Sequence, residues 1–168
     1  MLDIISVLEP FFEDCSKRIG VREYARLLNI SPPTASKILK EYVKEGLLLL
    51  HVDRGYHLYY AKKERLFIDI SRLYWANKLR QLTEYLEHEL VDPTIILFGS
   101  LSKAENTRAS DVDLVIIARK KELKFDTFEQ SLRRRIQAFW YTSINDIKNK
   151  DLATNIVNGH ILRGIIRL

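Results

Sequence analysis

Apolar positions recur at steps of three and four along the first 45 residues, which predicts helices. Ile4, Ile5, Leu8, Phe11 and Phe12 mark a first helix within residues 2–18, with Pro10 requiring a bend or a start near it. Gly20 interrupts the pattern, and Val21, Tyr24, Ala25 and Leu28 place a short second helix on VREYARLLN. The third helix has its boundary signals in view: Ser31 as N-cap, Pro32 at the first helical position and Gly46 as the stop. Its inward stripe is Ala35, Ile38, Leu39, Tyr42 and Val43, which leaves Thr34, Ser36, Lys37, Lys40 and Lys44 outside. Joined by the turn from Leu28 to Ser31, the second and third helices make a helix-turn-helix.

Beyond Gly46, LLLLHVDRGYHLYYA reads as two β-runs around the turn Asp53-Arg54-Gly55. A hairpin directly after the third helix is a wing, and residues 1–62 resemble the winged-helix DNA-binding domains of prokaryotic regulators. That resemblance implies a recognition helix in the major groove of double-stranded DNA, presenting Thr34, Ser36, Lys37 and Lys40. Arg54 at the wing tip would then reach a phosphate or the minor groove.

Residues 64–91 carry apolar side chains at three- and four-residue steps with no Gly or Pro until Pro93, which predicts one long connecting helix. From Thr94 the texture changes to TIILFGS, DVDLVIIA and RIQAFWYTS, three apolar runs rich in β-branched and aromatic residues, hence strands. FDTFEQSLRRR is helical in spacing, and the chain closes with a helix to about Asn158 and a short strand or turn. The predicted fold class is α+β. It comprises a winged helix-turn-helix over 1–63, a connecting helix over 64–92, and a mixed sheet with flanking helices over 93–168.

Composition narrows the function. Hydrophobic residues are 46% and charged residues 29% of the 168, as in globular domains able to bury a core. No run approaches the roughly 20 apolar residues of a membrane span, and Asp3 and Glu9 do not suit a basic signal-peptide start, so the expected location is cytoplasmic. Cys15 is the single cysteine, which leaves no internal disulfide and no cysteine zinc cage. His51, His57, His88 and His160 lack metal-ligand spacing. Net charge is +5; residues 1–63 carry 10 basic and 8 acidic side chains, and residues 94–168 carry 13 and 8. The first ratio is a weak footprint for nucleic acid, and the Arg119–Lys121 and Arg133–Arg135 runs read equally well as solvated faces.

The chemistry sits in GSLSKAENTRASDVDLVII. Gly99 and Ser100 end one apolar strand, and ten residues later Asp111 and Asp113 open the next. Alternate strand residues share a face, so the two carboxylates point the same way about 7 Å apart while Val112 enters the core. Such a pair can share divalent cations. Gly99 allows close approach of a phosphate, and the Ser100 hydroxyl with nearby N–H groups can bind its oxygens.

Residues 94–118 resemble the minimal nucleotidyltransferase domains of the DNA polymerase β superfamily, whose signature is GS, ten residues, then D-x-D. The resemblance implies that Gly99 and Ser100 hold a triphosphate, and that Asp111 and Asp113 bind one or two Mg²⁺ ions. A substrate hydroxyl would attack the α-phosphorus and expel pyrophosphate. Lys103 and Ala104 stand where the family often has Arg-Gly, so the basic residue is kept and the loop glycine is not; Ser110 matches. The full enzymes carry a third carboxylate on a neighbouring strand. The corresponding run, Arg135 to Thr142, has none: Gln137 is its nearest polar residue, and Asp126, Glu129 and Asp146 only flank it.

Two functions follow. One is an enzyme that moves NMP from an NTP to a hydroxyl of a small molecule, an RNA end or a protein, since minimal nucleotidyltransferases often serve as antitoxins that modify a toxin with AMP. The other is a transcriptional regulator or antitoxin whose nucleotide-binding domain has weak or no activity. A homodimer would use the long helix or the wing.

Overall fold

The computed structural model describes residues 4–167. Residues 1–3, which include the start of the first predicted helix and Asp3, and Leu168 lie outside the described residues. The chain divides into two compact units, Met1–Ser71 with Ala104–Arg108, and Arg72–Lys103 with Ala109–Leu168.

In the first unit, helices α1 (Ile4–Glu13), α2 (Val21–Leu28) and α3 (Pro32–Lys44) precede the hairpin β2 (Leu48–Asp53) and β3 (Tyr56–Ala61). Pro10 lies inside α1, whose buried stripe is Val7, Leu8, Phe11 and Phe12. The start of α3 is held as its sequence implies: the Ser31 side chain accepts the Thr34 N–H at 3.3 Å. Such a cap is worth about 1 kcal/mol. Ala35 and Leu39 are fully buried, and the Tyr24 hydroxyl donates to the Val7 carbonyl at 2.6 Å. Arg54 and Gly55 both take positive φ, +48° and +83°. A two-residue hairpin turn demands this. A short strand without a counterpart in the sequence pattern, β1 (Ile19–Gly20), pairs antiparallel with β3 to give the order β1-β3-β2.

The single helix expected over 64–92 is two: α4 (Arg65–Lys78) and α5 (Arg80–Glu89). Leu79 leaves helical geometry at φ −89°, ψ 2°. Its carbonyl receives both the Thr83 N–H at 2.9 Å and the Thr83 hydroxyl at 3.0 Å. A side-chain competitor of this kind bends helices. The division between the units falls within α4, after Ser71.

The second unit is a mixed four-stranded sheet in the order β6-β5-β4-β7. β4 (Thr94–Phe98) runs antiparallel to β5 (Val112–Ile117) and to β7 (His160–Arg163), while β6 (Ile136–Tyr141) lies parallel to β5. Between them come α6 (Gly99–Ser102), α7 (Asp126–Leu132), a 3₁₀ turn (Ile144–Asp146) and α8 (Lys150–Val157). One face of the sheet contributes Ile96, Phe98 and Val115 to a core shared with Ile144, Ile147 and Ile156. By the two-residue period of strands, the fully buried Ile95, Leu97, Leu114 and Ile116 point to the opposite face. A central sheet buried on both faces is a rigid platform for side chains at its strand ends.

Candidate active site

Three strand ends meet at one edge of this sheet. Phe98, the last residue of β4, is in register with Asp113 of β5, which is in register with Gln137 of β6. Asp111 stands one residue before β5, and Val112 between the two aspartates is fully buried. Asp111 and Asp113 therefore share the side opposite Val112.

Gly99 follows Phe98 directly, with φ +70°. A Cβ placed there would overlap the Asp113 carboxylate, with Cγ only 3.1 Å away. Glycine is thus required twice, by the left-handed backbone and by the aspartate pressed against it.

The loop between the two halves of the motif is tied from several sides. Arg72 donates from Nε to the Ser102 carbonyl at 2.8 Å and from a terminal nitrogen to the Asn158 carbonyl at 3.0 Å. The Ser102 hydroxyl donates to the Gly99 carbonyl at 3.0 Å, closing α6 on itself. Lys103 sends its ammonium to Asn155 Oδ1 at 2.8 Å, so this expected phosphate contact rests on α8. Ala104 takes φ +55°. That left-handed geometry accounts for the glycine that the resembling family often places there. In the first unit, buried Asn106 donates to the Phe12 and Glu13 carbonyls at 2.8 and 3.1 Å, and its own carbonyl accepts the Cys15 N–H at 2.9 Å.

Ser110 is engaged through its backbone: its carbonyl accepts from Arg134 at 2.6 Å. Arg134 is 6% exposed and its guanidinium lies 5.0 Å from the centre of the Trp75 ring. Arg133 and Arg135 are exposed, as a solvated run requires, so Arg134 alone departs from that reading. It holds the peptide leading into Asp111, a role no local sequence signal announces. The Val112 N–H donates to the Arg135 carbonyl at 2.8 Å and extends the β5–β6 ladder to the same point.

Burial and, second, the neighbouring Asp111 carboxylate push Asp113 above the ordinary carboxylate pKa. Gln137 donates its side-chain amide to Asp111, from the strand on which the resembling enzymes carry their third carboxylate. Two of the three flanking acids are occupied elsewhere. Glu129 accepts the Ile136 N–H at 2.8 Å, and Asp146 caps the 3₁₀ turn by accepting from Thr142 and Ser143. Asp126 lies in the first turn of α7. Among the described residues no group of three or more His, Cys, Asp and Glu converges as a metal cage. A concavity of about 660 Å³ opens at the other ends of these strands, beside Thr94, Ile117 and Thr142, and contains none of these groups.

The DNA-contact candidates lie apart from these residues in sequence and on other elements. Thr34, Lys37 and Lys40 are exposed on α3 or at its surface, Ser36 lies on the same helix, and Arg54 is exposed at the β2–β3 turn. Thr34 also shares a 2.7 Å hydrogen bond with Ser31 at the helix start. No helix of the described residues is long and apolar enough to cross a membrane.

No curated protein and no solved structure matches this chain. Residues 79–158 match the family model of the nucleotidyltransferase domain, which supports the nucleotidyltransferase superfamily and the transfer of a nucleoside monophosphate as its general chemistry.

Proposed function

We propose that this protein is a magnesium-dependent nucleotidyltransferase that moves NMP from an NTP to a hydroxyl acceptor, with a winged-helix head for double-stranded DNA. The observation that carries the reading is the close seating of Gly99 against Asp113, with Asp111 on the same side of the strand. Two carboxylates fit a Mg²⁺ ion, which usually takes one or two protein carboxylates and completes its shell with water and substrate phosphates. The fit has an electrostatic reason as well, because a cation relieves the repulsion that helps lift Asp113. Bound there, Mg²⁺ would neutralise phosphate charge and polarise the phosphorus under attack. Gly99 leaves room for the Asp113 carboxylate, the Ser100 hydroxyl would serve the phosphates, Lys103 would reach them only by turning from Asn155, and Arg134 keeps Asp111 in place by gripping the Ser110 carbonyl.

A specific observation favours a second reading, in which the nucleotide binds and transfer is slow. Gln137 occupies Asp111 with a hydrogen bond and cannot accept the proton of an attacking hydroxyl. In that case the protein acts as a nucleotide-binding regulator or antitoxin through its head. The exposed cations Lys37, Lys40 and Arg54 support DNA contact. The exposed Leu49, Leu50 and Val52 on edge strand β2 give a homodimer a place to form.

Incubation with labelled ATP, GTP, CTP and UTP plus Mg²⁺, with and without cell extract, tests the enzyme. Wild type should label an acceptor and the Asp111→Ala/Asp113→Ala variant should not. Equal labelling by both would sink the assignment. For the head, Lys37→Glu/Lys40→Glu should lower affinity for duplex DNA and flatten its salt dependence. A dimer should appear by light scattering at micromolar concentration, and a monomer would remove that part.

A further inference from the structure

The loop that follows β5 carries four basic residues and one acidic residue in seven, Arg119–Phe125. It borders a concavity of about 520 Å³ whose lining combines Lys120, Lys121 and Lys124 with the rings of Phe125 and Trp140. Trp140 stands on β6, one of the two edge strands of the sheet, in register with Ile116. The Trp140 ring is half-buried, whereas Trp75, the other tryptophan, is fully buried. This hollow is distinct from the aspartate pair, which sits at the opposite end of β5.

The three lysines do not have the same task. Lys121 donates to the Glu89 carboxylate at 2.6 Å and to the Glu89 carbonyl at 3.3 Å, and this contact holds the Glu89 carboxylate below its ordinary pKa. Lys121 thereby tethers the loop to α5. Lys120 and Lys124 make no ion pair among the described residues, and Glu122 is the one acid of the lining. Two such cations beside two accessible rings combine the elements by which proteins hold unpaired nucleotides: charge for the phosphates and flat apolar faces for the bases.

We propose that this hollow binds single-stranded nucleic acid, with a base stacked on Trp140 and flanking phosphates held by Lys120 and Lys124. Charge complementarity selects a polyanion, and the rings select one that carries bases. An acidic peptide would satisfy the lysines and leave the rings unused. The proposal stands independently of the nucleotidyl-transfer reading.

The test uses the full chain, a labelled 12-nucleotide single-stranded oligoadenylate, and inorganic polyphosphate of matched charge as control. Binding is read by anisotropy and by tryptophan fluorescence, where Trp140 is the ring accessible to stacking. Oligoadenylate should quench the fluorescence saturably, and polyphosphate should not. Lys120→Glu/Lys124→Glu should weaken oligonucleotide binding at least tenfold and reduce the slope of log affinity against log salt by about 1.4, two phosphates' worth on a single strand. Trp140→Phe should retain binding and lose the quench, while Trp140→Ala should weaken binding, with circular dichroism reporting the fold of each. Equal binding of polyphosphate and oligonucleotide, quenching that survives Trp140→Phe, or binding indifferent to the lysine changes would each overturn the site.

Discussion

The α-carbon of Gly99 faces the Asp113 carboxylate so closely that no side chain fits between them, and Gly99 holds φ +70° while doing so. The two requirements add. In Gly99→Ala the left-handed backbone costs about 1–2 kcal/mol, and the Asp113 side chain must rotate away from the new methyl. In a chain of this size that lowers Tm by roughly 2–8 °C, measurable by scanning calorimetry. Transfer should fall at least 100-fold, because a carboxylate displaced by about an ångström no longer serves the reacting phosphate. A variant that loses stability and keeps activity would detach Asp113 from the chemistry.

Asp113 also bears on stability through its charge. Its pKa in the folded chain is raised, by burial first and by Asp111 second, so the folded state holds the proton more tightly than the unfolded state. Stability from this group is accordingly present below the ordinary carboxylate range and lost as pH rises through the raised value, the reverse of a salt-bridged aspartate. Asp113→Asn in chelator should melt about 1–3 °C above wild type at pH 7, a modest gain because solvent screens a half-exposed group. The gap should close as pH falls to the ordinary carboxylate range. Adding Mg²⁺ should stabilise wild type and leave the variant unmoved if the pair is the cation site. A thermal-shift series over pH with and without Mg²⁺ measures both effects.

How much of this was legible in the chain depends on whether the cause was local. The Ser31 cap, the Arg54-Gly55 turn and the spacing from Gly99 to Asp113 are short-range patterns, and each is present in the structure as written. The two-residue strand β1 is too short to carry a period. The break at Leu79 has no Gly or Pro to mark it, since it coincides with a threonine four residues later bonding back to the carbonyl. Arg134 and Asn106 look like surface polar residues in the sequence. Their burial follows from long-range partners, the Ser110 carbonyl with Trp75 for one and the end of α1 for the other. Gln137 was readable as a missing acid, yet its grip on Asp111 needed the parallel register of β5 and β6.

Gln137 is also the position where the proposed transfer could be given a base. Gln137→Asp keeps a short polar side chain on β6 and adds a proton acceptor in register with Asp113. With Mg²⁺ and NTP, initial rates of label transfer should rise by about 10²-fold, the usual scale of general-base assistance. In chelator the same variant should melt below wild type, because a third carboxylate joins two that already repel. Gln137→Ala separates the causes: it frees Asp111 without offering a base, so its transfer rate should stay within a few-fold of wild type. A rate increase in the alanine variant would locate the restraint in the hydrogen bond itself.

Ala104 offers a test of backbone strain that leaves the aspartates untouched. It is fully buried and holds φ +55°. That conformation costs an alanine about 1–2 kcal/mol, and glycine adopts it freely. Ala104→Gly relieves the strain, and the greater freedom of glycine in the unfolded chain returns about 0.4–1 kcal/mol of it. Removal of one buried methyl group subtracts about 0.8 kcal/mol more. The three contributions nearly cancel, so the midpoint in urea should stay within about 0.5 kcal/mol of wild type, with an unchanged slope. If the loop matters to the motif only through its path, transfer should be unaltered. A fall in stability would mean that the packing of the Ala104 methyl outweighs the strain of its backbone.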